Sequence, residues 1–175
     1  MSELTTTRPA GADDLIEQVG IPGDLANLTA RQRAAYYAKV CSSLGLNPYS
    51  RPFDYLSIQG KQILYARKDA TDQLRSLRRV SLVIVSREIV NDVYVVTARA
   101  TLPDGRTDEE IGAVAIGGLK GELYANALMK ASTKAKRRVT LSVCGLGWLD
   151  ETEVETIPGA ERVELDDPTP IGQVG

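Results

Sequence analysis

The side chains best placed to do chemistry are cations on one face of a helical run. In NALMKASTKAKRRV, at 100° per residue, Asn126, Lys130, Lys134, Arg137 and Arg138 collect on one side. Tyr124, Leu128, Ala131, Ala135 and Val139 collect on the other, and Lys136 projects from a flank. No acid occurs from Leu123 to Leu149, so no i,i+4 partner neutralises the row. Such a row can track phosphates, each neutralised charge releasing condensed counterions. Its bland alternative is a solvated helix face.

A second basic set is Lys61, Arg67, Lys68, Arg75, Arg78 and Arg79, with Tyr55 and Tyr65 interleaved. Cations and rings together can hold a single strand by phosphate pairing and base stacking, making Tyr55 and Tyr65 the candidate stacking rings. With one Phe and one Trp in the chain, the seven tyrosines must also supply much of the aromatic core.

Other chemistries are poorly supplied. The chain has no histidine, which removes Ser-His-Asp and Cys-His catalysis and His-ligated zinc. Cys41 and Cys144 lack CxxC spacing and read as buried free thiols. Asp54, Asp69, Asp72, Glu88 and the Asp108–Glu110 cluster are the carboxylates to weigh, yet no Glu has Lys two residues later, as a magnesium nuclease would want. Asp69 and Asp72 lie at a helix start, where the macrodipole alone favours acids. A P-loop and a GxGxxG are both absent, and no His or Arg triad supports a tyrosine nucleophile. The expectation is a non-enzymatic protein with no metal and no cofactor.

Composition first argues against a nucleic-acid partner. Among 175 residues, 21 bases against 23 acids give a net charge of −2. Resolved along the chain the charge segregates: residues 1–30 carry −4, residues 31–140 carry +9 from 19 bases and 10 acids, and residues 141–175 carry −7. A basic core lies between acidic ends.

The elements that position these residues follow from local signals. Residues 1–28 read as a flexible acidic arm around one amphipathic stretch, Asp13–Val19. Thr29 is placed to cap a helix that runs to Gly45. After a turn with two prolines, FDYLSI and KQILYA flank Gln59-Gly60 as a hairpin. In ARKDATDQLRSLRR, Ala70, Leu74 and Leu77 fall at i, i+4, i+7, one helical face. Three β-rich runs, about Val80–Val90, Val93–Leu102 and Arg106–Ile116, make an antiparallel meander. A long helix follows from near Leu119 to about Val143. The predicted class is α+β: a β-hairpin and a three-stranded meander with a long basic helix packed on the sheet. The core is expected over residues 29–149, and residues 150–175, with eight acids against one base, read as a disordered acidic tail. No apolar run approaches a membrane span and Met1–Gly11 lacks a signal-peptide stretch, so a cytoplasmic protein is expected.

These residues also carry a resemblance. LGLNPYSRPFDYL followed by GKQILYARKDATDQLR resembles the N-terminal signature of the RecT/Redβ/Erf grouping of phage-type single-strand annealing proteins. MKASTKAKRRVTLSVCGLG is similar to the closing basic helix of that group, and the likeness spans Thr29 to Glu155. It implies an α+β core with a groove for DNA, binding of single-stranded DNA, ATP-independent annealing of complementary strands in homologous recombination, and assembly into rings or helical filaments in a bacterial host cell. It also implies a phage exonuclease or a host single-strand binding protein as partner, although larger relatives use a separate C-terminal domain for this and here an acidic tail follows the core.

On this reading Lys130, Lys134, Arg137 and Arg138, with Lys136 beside them, line the groove, and Lys61, Arg67, Lys68 and Arg75 close its other side. The acidic ends are solubilising tails or, in a sharper version, Glu151–Asp167 occupies the basic groove when DNA is absent. The competing function is an oligomeric assembly or adaptor protein whose basic helix contacts a neighbouring subunit.

Overall fold

The structure is a computed structural model that describes Val19 and residues 23–163. Most of the acidic arm, with the Asp13–Val19 stretch except Val19 itself, and residues 164–175 of the tail lie outside the described residues.

Helix α1, Ala30–Leu44, starts at a Thr29 capping box completed by Gln32 and stops at Gly45, whose φ of 74° closes the helix with backbone bonds to Cys41 and Ser42. A 3₁₀ turn, Pro48–Ser50, leads into strands β1, Phe53–Ile58, and β2, Lys61–Ala66. Gln59 and Gly60 both have positive φ, the backbone of a two-residue hairpin turn that matches strand twist. Helix α2, Lys68–Arg78, crosses to the meander β3, Ser81–Val90, β4, Val93–Thr101, and β5, Thr107–Ala115. Helix α3, Gly121–Val143, is 23 residues long. The class is α+β.

Two three-stranded antiparallel sheets result, ordered β3-β4-β5 and β2-β1-β6, where β6 is Ala160–Arg162. Helix α3 lies on β4 and β5, with Ala131, Ala135, Val139 and Val143 against Val96, Ala98 and Ala100. Small residues let helix and sheet approach closely, and closest of all at Gly112. A Cβ there would stand 2.1 Å from the Ala131 carbonyl oxygen and 2.4 Å from the Ala135 nitrogen. A second core joins α1, β1 and α2 through Cys41, Leu46, Phe53, Ala70, Leu74 and Leu141, with Trp148 edge-on to Phe53 at 4.3 Å between ring centroids.

Three local expectations need correction. Residues 150–163 are not a disordered tail. A short helix α4, Glu151–Val154, and strand β6, Ala160–Arg162, fold back onto the hairpin, and β6 pairs with β1 from Ile58↔Ala160 to Leu56↔Arg162. The physical reason is sparse apolar residues well placed: Leu149, Val154 and Ala160 cover Leu56, Ile58, Ile63 and Tyr65. Leu77 is 52% exposed, unlike Ala70 and Leu74 on its supposed face, because in the last turn of α2 it meets only the edge of the Gly45 turn. Both thiols are free, but Cys144 is half-buried where Cys41 is fully buried. No helix of the described residues is long and apolar enough to cross a membrane.

Candidate nucleic-acid interface

The cations of α3 do not form an open row. Lys130 donates to Glu155, Arg138 to Glu153 with Glu110 at 3.4 Å, and Arg137 pairs with Glu151 at 2.7 Å. Arg137 is buried, so its assignment to a DNA-lining role is wrong for this conformation. The cause is a device in the acidic segment. Asp150, fully buried, accepts from the Thr152 and Glu153 amides at 2.6 and 3.2 Å, while Glu153 Oε2 accepts from the Asp150 amide at 3.1 Å. This capping box starts α4 and aims Glu151 and Glu153 at α3. Its sequence signal, an acid followed three residues later by Glu just ahead of a valine, was legible in D-E-T-E-V.

Lys134 and Lys136 have no carboxylate oxygen within 4.0 Å among the described residues. They leave α3 on opposite flanks. Lys134 lies near enough to Glu155 to help hold that carboxyl below its ordinary range, after the larger effect of the Lys130 hydrogen bond. Lys136 instead faces β3 and α2. It lines a cleft of about 270 Å³ with Arg75, Leu82, Val83 and Ile84.

Helix α2 supplies the rest of that surface. Lys68, Asp72 and Arg75 fall at i, i+4 and i+7, one flank of the helix, and Arg79 is the left-handed residue that ends it. Arg75 pairs with Asp72 and donates to Thr140 Oγ1 of α3 at 3.4 Å, which fixes its side chain at the mouth of the cleft. Lys68 and Arg79 are exposed and carry no ion pair among the described residues. Arg67 caps the backbone of α2, and its guanidinium donates to the Arg51 carbonyl at 3.4 Å. The structure therefore brings Arg75 and Lys136 together at one cleft, with Lys68 at the start of α2 and Arg79 at its end both exposed. Lys61 stands apart at the hairpin turn, five residues up β2 from Ala66 or about 17 Å along the strand. There it lies near Asp24, whose carboxyl is lowered mainly by hydrogen bonds from the Ala26 and Gln62 amides and slightly by Lys61.

The two candidate stacking rings are both buried. Tyr55 packs with Leu25 and Leu28, and Tyr65 with Leu56 and Val154. Burial pushes both phenols above their ordinary value of 10.0. Alternation along β1 and β2 shows that Tyr55 and Tyr65 sit on opposite faces; what it does not show is that both faces are covered, one by the segment before α1 and the other by residues 149–160. The exposed ring is Tyr49, at 93%. Its signal was its place between Pro48 and Pro52, in a turn with no partner strand to bury it.

Five of the carboxylates weighed for catalysis have structural partners: Asp54 pairs with Arg51, Asp72 with Arg75, Glu109 with Arg99 and Glu110 with Arg138, and Asp108 accepts from the Ser142 hydroxyl. Among the described residues no group of three or more His, Cys, Asp and Glu side chains is placed to hold a metal ion. Compared with known proteins, the chain matches no family model and no curated protein.

Proposed function

We propose that the protein binds single-stranded DNA and promotes annealing of complementary strands without ATP, as a non-enzymatic recombination protein in the cytoplasm of a bacterial host. The observation that carries this reading is the cleft between α2 and β3, lined by the cations Arg75 and Lys136, in a core of net charge +9 that also exposes Lys68 and Arg79. Annealing is downhill because pairing and stacking of the strands supply the free energy. The protein's task is to screen phosphate repulsion and present bases, which backbone-directed cations do without reading sequence. The resemblance to phage-type annealing proteins supports the same reading.

The test is a titration of labelled oligonucleotide, followed by annealing of complementary strands without nucleotide. Lys68→Ala with Lys136→Ala weakens binding for every sequence and flattens the salt dependence by ~0.7 per lost phosphate contact. An unchanged salt slope rejects this surface as the interface.

A second reading, an assembly protein, is favoured by the bare face of the β3-β4-β5 sheet. Val83, Val90 and Ile111 are each at least half exposed on the side away from α3. Light scattering without DNA separates the two, since assembly alone with no oligonucleotide binding favours the second.

A further inference from the structure

We infer that Tyr49 forms a stacking site for a nucleobase, with Arg51 beside it and Arg67 behind Arg51 for the adjoining phosphates; the inference rests on the single-strand reading above. Tyr49 is the most exposed of the large hydrophobic side chains among the described residues, and its exposure is not that of a loose loop. The turn that carries it is tied on both sides. Asn47 Oδ1 accepts from the Tyr49 amide at 3.0 Å, and the Asn47 amide donates to Gln73 Oε1 at 2.9 Å. Gln73 Nε2 then donates to Ser50 Oγ at 2.6 Å, so one side chain of α2 holds both ends of the turn. Arg51 completes it at φ 51°, a left-handed conformation uncommon for a residue with a Cβ. A turn tied this way loses little backbone freedom when a partner covers the ring it carries.

Beside the ring opens a cleft of about 420 Å³ with largely apolar walls. Ala34 and Ala38, one turn apart on α1, leave room on one wall, and Tyr37 and Phe53 form the floor. Tyr37 is locked there, its hydroxyl donating to the Phe53 carbonyl at 3.1 Å and accepting from the Phe53 amide at 3.2 Å. The cleft presents a flat aromatic face and shallow apolar walls, which suit a planar ring.

Charge selects the occupant. The Arg51 side chain is 68% exposed, and its contact with Asp54 at 3.6 Å is an open surface pair of little strength. Arg67 reaches the Arg51 carbonyl, and Lys68 follows it at the start of α2. An aromatic ring bordered by Arg51, with Arg67 held against the Arg51 backbone, matches a base flanked by phosphate, and stacking on it is sequence-tolerant because every base has a π-face.

The experiment compares an oligothymidylate with an abasic oligomer of equal length, binding the full chain at fixed salt. Wild type prefers the base-bearing strand by about tenfold, the ratio a single stacked base supplies. Tyr49→Phe keeps that preference and Tyr49→Ala loses it, with thermal unfolding confirming that both variants fold. A preference that survives in Tyr49→Ala, or its absence from wild type, overturns the stacking site alone. If wild type binds neither oligomer, the single-strand reading itself fails and the site with it. A change of oligomeric state in Tyr49→Ala with the base preference intact assigns the cleft to a second copy of the chain and overturns the proposal.

Discussion

Arg137 of α3 and Glu151 of α4 meet at 2.7 Å, with the arginine side chain only 9% exposed. Their pairing changes the meaning of the acidic segment. Glu151, Glu153 and Glu155 each engage one of Arg137, Arg138 and Lys130, so the segment neutralises one flank of the basic helix while β6 extends the hairpin sheet. The flank left open is the one toward α2.

Removing Arg137 strands Glu151 at a poorly solvated seam. Breaking a buried pair from one side costs more than the pair itself is worth, because an uncompensated charge remains. Arg137→Ala should therefore lose about 3 kcal/mol of unfolding free energy in denaturant titration. A loss below about 1 kcal/mol would show a pair no stronger than an exposed one.

The acids compete with phosphate for the same cations. Glu151→Gln, Glu153→Gln and Glu155→Gln together should raise single-strand affinity at low salt by about tenfold and steepen its salt dependence, as newly available cations join the contact. No gain removes the autoinhibitory role. Truncation after Gly147 is the wrong test of that role, since it also strips Leu149 and Val154 from Leu56 and Tyr65; that variant should lose its cooperative thermal transition.

Glu155 supplies a pH handle. Its carboxyl sits below the ordinary 4.5, first through the hydrogen bond from Lys130, with partial desolvation opposing. A lowered folded value favours the ionised form in the folded state. The pair's contribution is thus complete above pH 4.5 and lost as pH falls through the lower folded value. Both side chains are about half exposed, so the effect on stability is small. A carboxyl-resolved NMR titration reads it directly: Lys130→Ala should move the Glu155 midpoint up, and an unmoved midpoint refutes the pairing in solution.

Gly112→Ala should be among the most damaging single substitutions in the chain. The added methyl meets helix backbone, which no rotamer change relieves, so α3 must lift from the sheet at a cost of about 3 kcal/mol or more. A variant that unfolds at the wild-type midpoint would mean that α3 sits further from β5 than described.

Most elements were readable because their causes are local. The Thr29 cap, the Gly45 stop, the Gln59-Gly60 turn and the two-residue alternation of β3 to β5 all act within a few residues, and each element lies within about two residues of its expected bounds. The acidic segment was misread because composition weighs its eight acids and not where Leu149 and Val154 land. Tyr55 and Tyr65 lie in the core, as the shortage of other aromatic residues suggests, and what covers each face is set by segments outside the hairpin.

By itself the sequence determined the kinds and order of elements and the segregation of charge into a basic core with acidic ends. Only the tertiary structure decided which cations remain open. Lys130 and Glu155 are 25 residues apart in the chain, and Arg138 and Glu153 15 apart. Such pairs form only after α4 docks. Electrostatic attraction acts through space over a few ångströms, so availability for phosphate is a property of the packed chain. Lys68, Arg79 and Lys136 stay open because no acid folds back to that flank of α2 and α3 among the described residues.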